Sequence, residues 1–405
     1  MEAAAALRVP VFRRLAGAYT INELGNWIGD IALAILVFDR TGSSIATAGL
    51  FLALRFLPAI LAPLLTTRTE VISPRRVLPA LYIGEGVIFG LIALLARSFS
   101  LPAVLALAAA DGVLAVAAKA LIRSVNAAVL SPQGLLRQGN AILNLGLTIG
   151  GAVGPAMAGG LVAGAGAGSA LAVDAVTFAL VAVVLATTPG MRVDSDRQFG
   201  TLDRLRAGLR ESWQRPTVRR LLIATGAALM FGTSVIPIEV IFAKRTLHAG
   251  DTGYGFLITS WGVGMVVGGG AFAVVSRMRL SFAISIGMTF IACGYAGLAG
   301  SSDLLVACAF SAVGGIGNGL WWIAAVTGIQ QSIPAHAQSV VMSVLESTNQ
   351  AAPAVGYVLG GAVTAIASPR IAYAVAGAGV ALVLVAQLLR PLDGLENRPA
   401  SSDAT

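Results

Sequence analysis

Apolar residues run together for about twenty positions at a time along this chain, and short polar intervals rich in arginine separate the runs. Twelve runs stand at roughly 16–37, 45–65, 77–96, 102–122, 141–163, 169–187, 220–242, 254–275, 281–299, 304–324, 340–364 and 370–389. About 20 residues of α-helix, rising ~1.5 Å each, cross the ~30 Å hydrocarbon core of a bilayer. A surface helix of a soluble protein keeps a polar face, and a half-buried strand alternates; these runs do neither. The pattern predicts an all-α, polytopic membrane protein with twelve transmembrane helices and the lipid bilayer as its solvent.

Composition agrees, with 57% hydrophobic and 11% charged residues against about 25% charged in an ordinary soluble domain. The charges are unevenly placed. With both termini cytoplasmic, the outer segments hold only Arg40, Arg97, Lys244, Arg245 and Arg370; Arg55 and Lys119 lie within spans, and the other lysines and arginines are on the inner side. That asymmetry is the positive-inside pattern and sets the expected orientation. It also accounts for the net charge of +8 and the pI near 10.2, so no nucleic-acid partner is expected. Arg8, Arg13 and Arg14 before the first run imitate a signal peptide, but Glu23 and Asp30 interrupt that run and further spans follow; it reads as a retained first helix.

The longest polar interval, about 188–219, divides the chain into an N-terminal six-helix bundle (1–190), a basic cytoplasmic linker (191–218) and a C-terminal six-helix bundle (219–405). In the linker Leu202, Leu205, Leu209 and Trp213 recur at helical spacing among arginines, and Pro216 ends the pattern, as in a helix lying in the membrane interface. The halves echo each other: Gly154-Pro155 through Gly159-Gly160 in the fifth span answers Pro353 through Gly360-Gly361 in the eleventh. Such internal repeats typify transporters whose substrate site lies at the membrane centre.

The only lysines, Lys119 and Lys244, both follow alanine. The Gly-Lys of a phosphate-binding loop is therefore absent, and ATP is not hydrolysed by that route. The glycine-rich stretch Gly314–Gly319 lies inside a span and reads as close helix packing. Cys293 and Cys308 sit in apolar runs, and His248 and His336 fall on opposite sides of the membrane. No metal site, cofactor or His-based catalytic pair is expected, and the chain reads as a non-enzyme. Intramembrane acids are the chemistry that remains. Glu23 and Asp30, seven residues apart, share one helix face with Asn26 and Trp27 between them. They are the first candidates for proton coupling, with Asp111 next, since a carboxylate moved between dry and cation-bearing surroundings takes up and releases protons. A structural ion pair with Arg55 is the alternative for the first two. Lys119 is expected to snorkel to the interface. Glu85, Asp174, Glu239 and Glu346 are set aside, most as groups near span ends. Trp27 and Trp261, in opposite halves, are candidates with Asn26 for lining a substrate cavity.

Several segments resemble the macrolide-efflux branch of the drug:proton antiporters of the major facilitator superfamily: Arg55-Phe56-Leu57-Pro58, Gln138-Gly139-Asn140, Gly154-Pro155 through Gly159-Gly160, Asp174-Ala175-Val176-Thr177-Phe178 and Arg215-Pro216-Thr217-Val218-Arg219. The resemblance runs from about residue 16 to 390. It implies the major facilitator fold, an antiporter-type motif on Gly150, Gly154, Pro155, Gly159 and Gly160, acidic coupling residues in span one, and a monomer in the plasma (inner) membrane. The family's gating loop, Gly-x-x-x-Asp-Arg-x-x-Arg-Arg, departs here to Thr66 through Arg76, where Arg75 and Arg76 match and Glu70 replaces the aspartate only with a one-residue shift. The expected function is proton-coupled export of a small amphipathic substrate such as a drug or antibiotic. An endogenous metabolite or siderophore is the alternative substrate, and a non-transporting sensor or an intramembrane enzyme the remote alternatives.

Overall fold

The computed structural model describes residues 2–58, 73–191, 201–275, 279–334 and 337–389. Its helices are α1 (Pro10–Thr41), α2 (Ser44–Phe51, extended by a π-helical turn Leu52–Phe56), α3 (Pro74–Leu95), α4 (Leu101–Leu130), α5 (Leu136–Ala165), α6 (Ala167–Ala186), α7 (Thr201–Gln214), α8 (Pro216–Thr233), α9 (Gly250–Val275), α10 (Leu280–Gly300), α11 (Leu304–Gln331), α12 (Gln338–Ile366) and α13 (Pro369–Leu389). A 3-10 turn, one α-turn and a second π turn (Phe242–Thr246) join α8 to α9. Ten segments among the described residues are long and apolar enough to cross a membrane. The second predicted span holds the shorter apolar helix Ser44–Phe56, and the eleventh holds the 29-residue α12.

The boundaries follow from local chemistry. Prolines open α1, α3, α4 and α8 in their first turn, where the missing N–H is one that a helix leaves unpaired anyway. Gly42 closes α1 at φ 62°, donating its N–H to Phe38 O at 2.7 Å, a left-handed cap that glycine adopts without strain. Ser43 then caps α2 by accepting from Ala46 N–H at 3.2 Å.

Chain contacts group into two compact units, one of residues 1–198 with 237–259 and the other of 199–236 with 260–405. Residues 237–259 cluster with the first unit although they follow the linker in sequence. In the first unit α1 packs on α5 and α6, and α3 on α4 and α6. In the second α10 packs on α11 and α13, and α8 on α12. Small residues set these crossings, since apolar side chains gain little by leaving lipid for another helix. A Cβ on Gly294 would stand 2.6 Å from Gly314 Cα, and one on Gly317 would be 2.7 Å from Ile291 N. The Gly314–Gly319 stretch is thus a packing surface on α11. The linker helix α7 docks on α12, with Val344 Cγ2 2.7 Å from a Cβ placed on Gly208.

Candidate functional site

Seven residues is close to two turns of helix, so α1 points Glu23 and Asp30 to one side at depths ~10 Å apart. Each meets a cation from another helix. Asp30 Oδ2 accepts from Arg55 Nη2, and Arg55 sits on the π turn that follows α2, a local irregularity of the kind that occurs at functional sites. Glu23, 2% exposed, has Lys119 Nζ of α4 at 3.1 Å from its Oε1. That second pairing is ionic only, off the hydrogen-bond direction, so Glu23 Oε1 accepts no hydrogen bond among the described residues. The expectation that Lys119 snorkels is corrected: its ammonium turns inward to a buried acid.

Asp111, on the same helix as Lys119, is buried, and its electrostatic neighbours are Asp30, Arg55 and Lys119. Next to Lys119, residues of α1, α4 and α5 line a half-open cavity of about 420 Å³, among them Tyr19, Lys119, Arg123, Asn140 and Asn144, a volume within the range of small-molecule sites. Arg123 and Asn144 stand outside the residues expected to line a site. Their signal was available: Lys119 and Arg123, like Asn140 and Asn144, are four residues apart and share a helix face.

The glycines of α5 are spaced for α1. A Cβ on Gly150 would come within 3.1 Å of Glu23 C and O, and one on Gly154 within 2.5 Å of Trp27 Cβ. Gly151 leaves the Trp27 ring at ordinary contact, 3.5 Å. Further along α5, a Cβ on Gly159 would stand 2.6 Å from Asp251 O and 3.1 Å from Gly255 Cα at the start of α9, while Gly160 has open space. Pro155 lies inside α5, where it removes one helix hydrogen bond. At this end of the first unit Lys244 Nζ donates to Asp39 Oδ1 at 2.5 Å and Asp251 Oδ1 at 2.6 Å. Arg245 lies 4.8 Å from the centre of the Phe38 ring.

Over residues 1–404 the sequence matches the transmembrane secretion effector family of the major facilitator superfamily. The chain belongs to that family. It is therefore a multi-pass membrane transporter rather than an enzyme. The same fold is found in solved structures of the nucleoside transporter NupG (12% identity, 94% of this chain and 98% of that one, TM-score 0.74). It recurs in a bacterial homologue of the iron transporter ferroportin in its inward-facing state (12%, 94% and 98%, 0.73). A bacterial homologue of the lysosomal transporter Spinster is a third (15%, 95% of each chain, 0.70). At these identities the likeness carries the fold alone. No curated protein matches the chain.

Other predicted residues of this family member fall as follows. Asn26 and Trp27 are half-buried on α1. Trp261, in the second unit, stacks on Tyr295 with ring centres 5.3 Å apart and planes 12° from parallel, and Tyr295 Oη donates to Gly232 O at 2.7 Å. Arg75 and Arg76 are exposed in the first turn of α3, and Glu70 lies outside the described residues. Asp174, read as a group near a span end, is fully buried at the α1–α6 crossing, and Glu85 is 1% exposed on α3. Gly25 and Gly29, one turn apart on α1, both face the Asp174 carboxylate; a glycine pair at that spacing was the sequence signal for it.

Proposed function

We propose that this family member is a secondary active exporter that exchanges protons for a small amphipathic compound, such as a drug or antibiotic, by alternating access of its two six-helix halves. It works as a monomer in the plasma (inner) membrane with both termini in the cytoplasm. The observation that carries this reading is the pair of acid–cation contacts on α1, Glu23–Lys119 and Asp30–Arg55, the first of which borders, through Lys119, a cavity of about 420 Å³ with a mixed polar and apolar lining.

The chemistry follows from electrostatics at low dielectric. An ionised carboxylate holds its cation strongly there. A proton on the carboxyl cancels that attraction and releases the cation, and the proton leaves when the cation returns. An acid–cation pair within a transporter is thus a two-state element whose equilibrium a proton biases. Asp111, in electrostatic range of both cations, is the third coupling candidate. Asn26 and Trp27 are proposed to contact substrate on the α1 side, with Trp27 held by the glycine face of α5. Trp261 is proposed as a substrate contact in its own unit. Similarity of the Gly154-Pro155 segment to the antiporter motif supports export over import.

Export of an endogenous metabolite or siderophore by the same machinery is the second reading, favoured by the polar lining of Arg123, Asn140 and Asn144. A comparison of cells expressing the chain with cells lacking it, challenged with a panel of amphipathic antibiotics, tests the drug reading. Expressing cells should accumulate less compound and tolerate more of it. Equal accumulation across the panel, with an endogenous compound retained only in the deleted cells, would replace it with the metabolite reading.

A further inference from the structure

Among the described residues, three buried carboxyl groups of the first unit make no ion pair. Lys119 is taken by Glu23 and Arg55 by Asp30, while Glu85, Asp111 and Asp174 are 1%, 7% and 0% exposed. Glu85 Oε1, Asp111 Oδ1 and Asp174 Oδ2 each lack a hydrogen-bond donor among the described residues, and the buried Tyr82 Oη and Asn22 Oδ1 also lack a partner there. The surroundings are apolar. Phe178 of α6 lies between Tyr82 and Phe89 of α3, at 6.3 and 5.4 Å between ring centres. Asp174 is enclosed by Gly25, Gly29 and Phe89, with only its own neighbour Thr177 donating to Oδ1, at 3.0 Å. A carboxyl in such a place neutralises rather than remain charged and unpaired. Among the described residues no group of three or more His, Cys, Asp or Glu could hold a metal ion.

We infer that Glu85 and Asp174 form a proton-binding site in the seam between α1, α3 and α6, each carrying a carboxyl proton while Lys119 is engaged by Glu23. Glu85 is in electrostatic range of Tyr82 on its own helix, Glu23 on α1, Asp111 and Lys119 on α4 and Asp174 on α6. Asp174 is in range of Glu85, Asp30 and Asp111, and takes a hydrogen bond from Thr177. Lys119 links the seam to α1. When Glu23 takes a proton, the Lys119 charge becomes available to Glu85, which releases its proton; one proton is gained, one is lost and the net charge is unchanged. This relay rests on the proton-coupled reading above, whereas occupancy of the seam by protons does not.

The test is infrared spectroscopy of the full chain in lipid nanodiscs at neutral pH, in H₂O and D₂O, reading the carbonyl stretch of protonated carboxylic acids. Wild type should carry this signal, and Glu85→Gln and Asp174→Asn should each remove one carboxyl's share. Glu23→Gln, which fixes Glu23 in its neutral form, should remove one further share by freeing Lys119. Absence of a protonated-carboxyl signal in wild type overturns the inference even if a variant fails to fold. So does a signal indifferent to both seam substitutions, or one abolished by NaCl or MgCl₂ at constant pH, which would assign the site to a metal cation. None of these readings requires transport, so a transporter indifferent to pH gradients leaves the seam result standing on its own.

Discussion

Gly159 and Gly160 are adjacent on α5, and a single methyl group on each should have opposite consequences. In a helix, Gly→Ala stabilises by about 1 kcal/mol through lost backbone freedom in the unfolded chain. Gly160 has nothing within 4 Å of a built Cβ, so Gly160→Ala should keep that gain. At Gly159 the methyl would meet Asp251 O at 2.6 Å and Gly255 Cα at 3.1 Å. Those are backbone atoms that cannot rotate away, and overpacking of this kind costs about 1–3 kcal/mol. The α5–α9 contact in the first unit should therefore be weaker in Gly159→Ala than in Gly160→Ala by ~1–3 kcal/mol, a 5- to 150-fold shift in any equilibrium that makes and breaks it. Thermal unfolding in nanodiscs and substrate flux in proteoliposomes, measured side by side, read the two terms. Gly160→Ala should match or exceed wild type in both, and Gly159→Ala should fall in both. If the two variants behaved alike, close approach at Gly159 would not be the reason for the Gly-Gly pair.

Three further outcomes follow. Lys119→Ala leaves the buried Glu23 carboxylate unpaired and should destabilise toward the lower end of ~3–5 kcal/mol, because the Lys119 side chain is 34% exposed. The loss should be relieved by adding Glu23→Gln; thermal unfolding of the single and double variants checks it. Asp30→Asn should retain substrate binding while uncoupling flux from a pH gradient, as equilibrium binding and flux measured on one preparation would reveal. Lys244→Gln removes both contacts to Asp39 and Asp251, worth about 1 kcal/mol for partly exposed pairs. In a background lacking Cys293 and Cys308 it should speed labelling of Ser43→Cys by a membrane-impermeant thiol reagent.

The fold class was legible because hydropathy reports depth, and depth separates the membrane-crossing helices from their loops; ten of the described segments are long and apolar enough to span. Helix ends were less legible: the apolar runs begin at about 16 and 77, whereas the helices begin at Pro10 and Pro74, because a helix runs on past the apolar part of its sequence; only Pro216 marked its boundary. What a helix faces is not written in its own run. Asp174 stands near the start of the sixth apolar run, and only the paired glycines of α1, about 150 positions earlier, make room to bury it. Lys119 looked able to reach the interface because a long side chain can turn either way; the partner that decides, Glu23, belongs to another helix. Arg55 could be offered from sequence as a partner for either Glu23 or Asp30, since all three are charges within consecutive spans; the structure pairs it with Asp30.

Proton-coupled export through α1 is tested most directly by purified protein in liposomes with an imposed pH gradient, wild type beside Asp30→Asn plus Glu23→Gln. Substrate should move against the proton flux in wild type, faster as the gradient steepens, and the double variant should lose that dependence. Wild-type flux that ignores the gradient, or a double variant that follows it as wild type does, would contradict coupling through these residues.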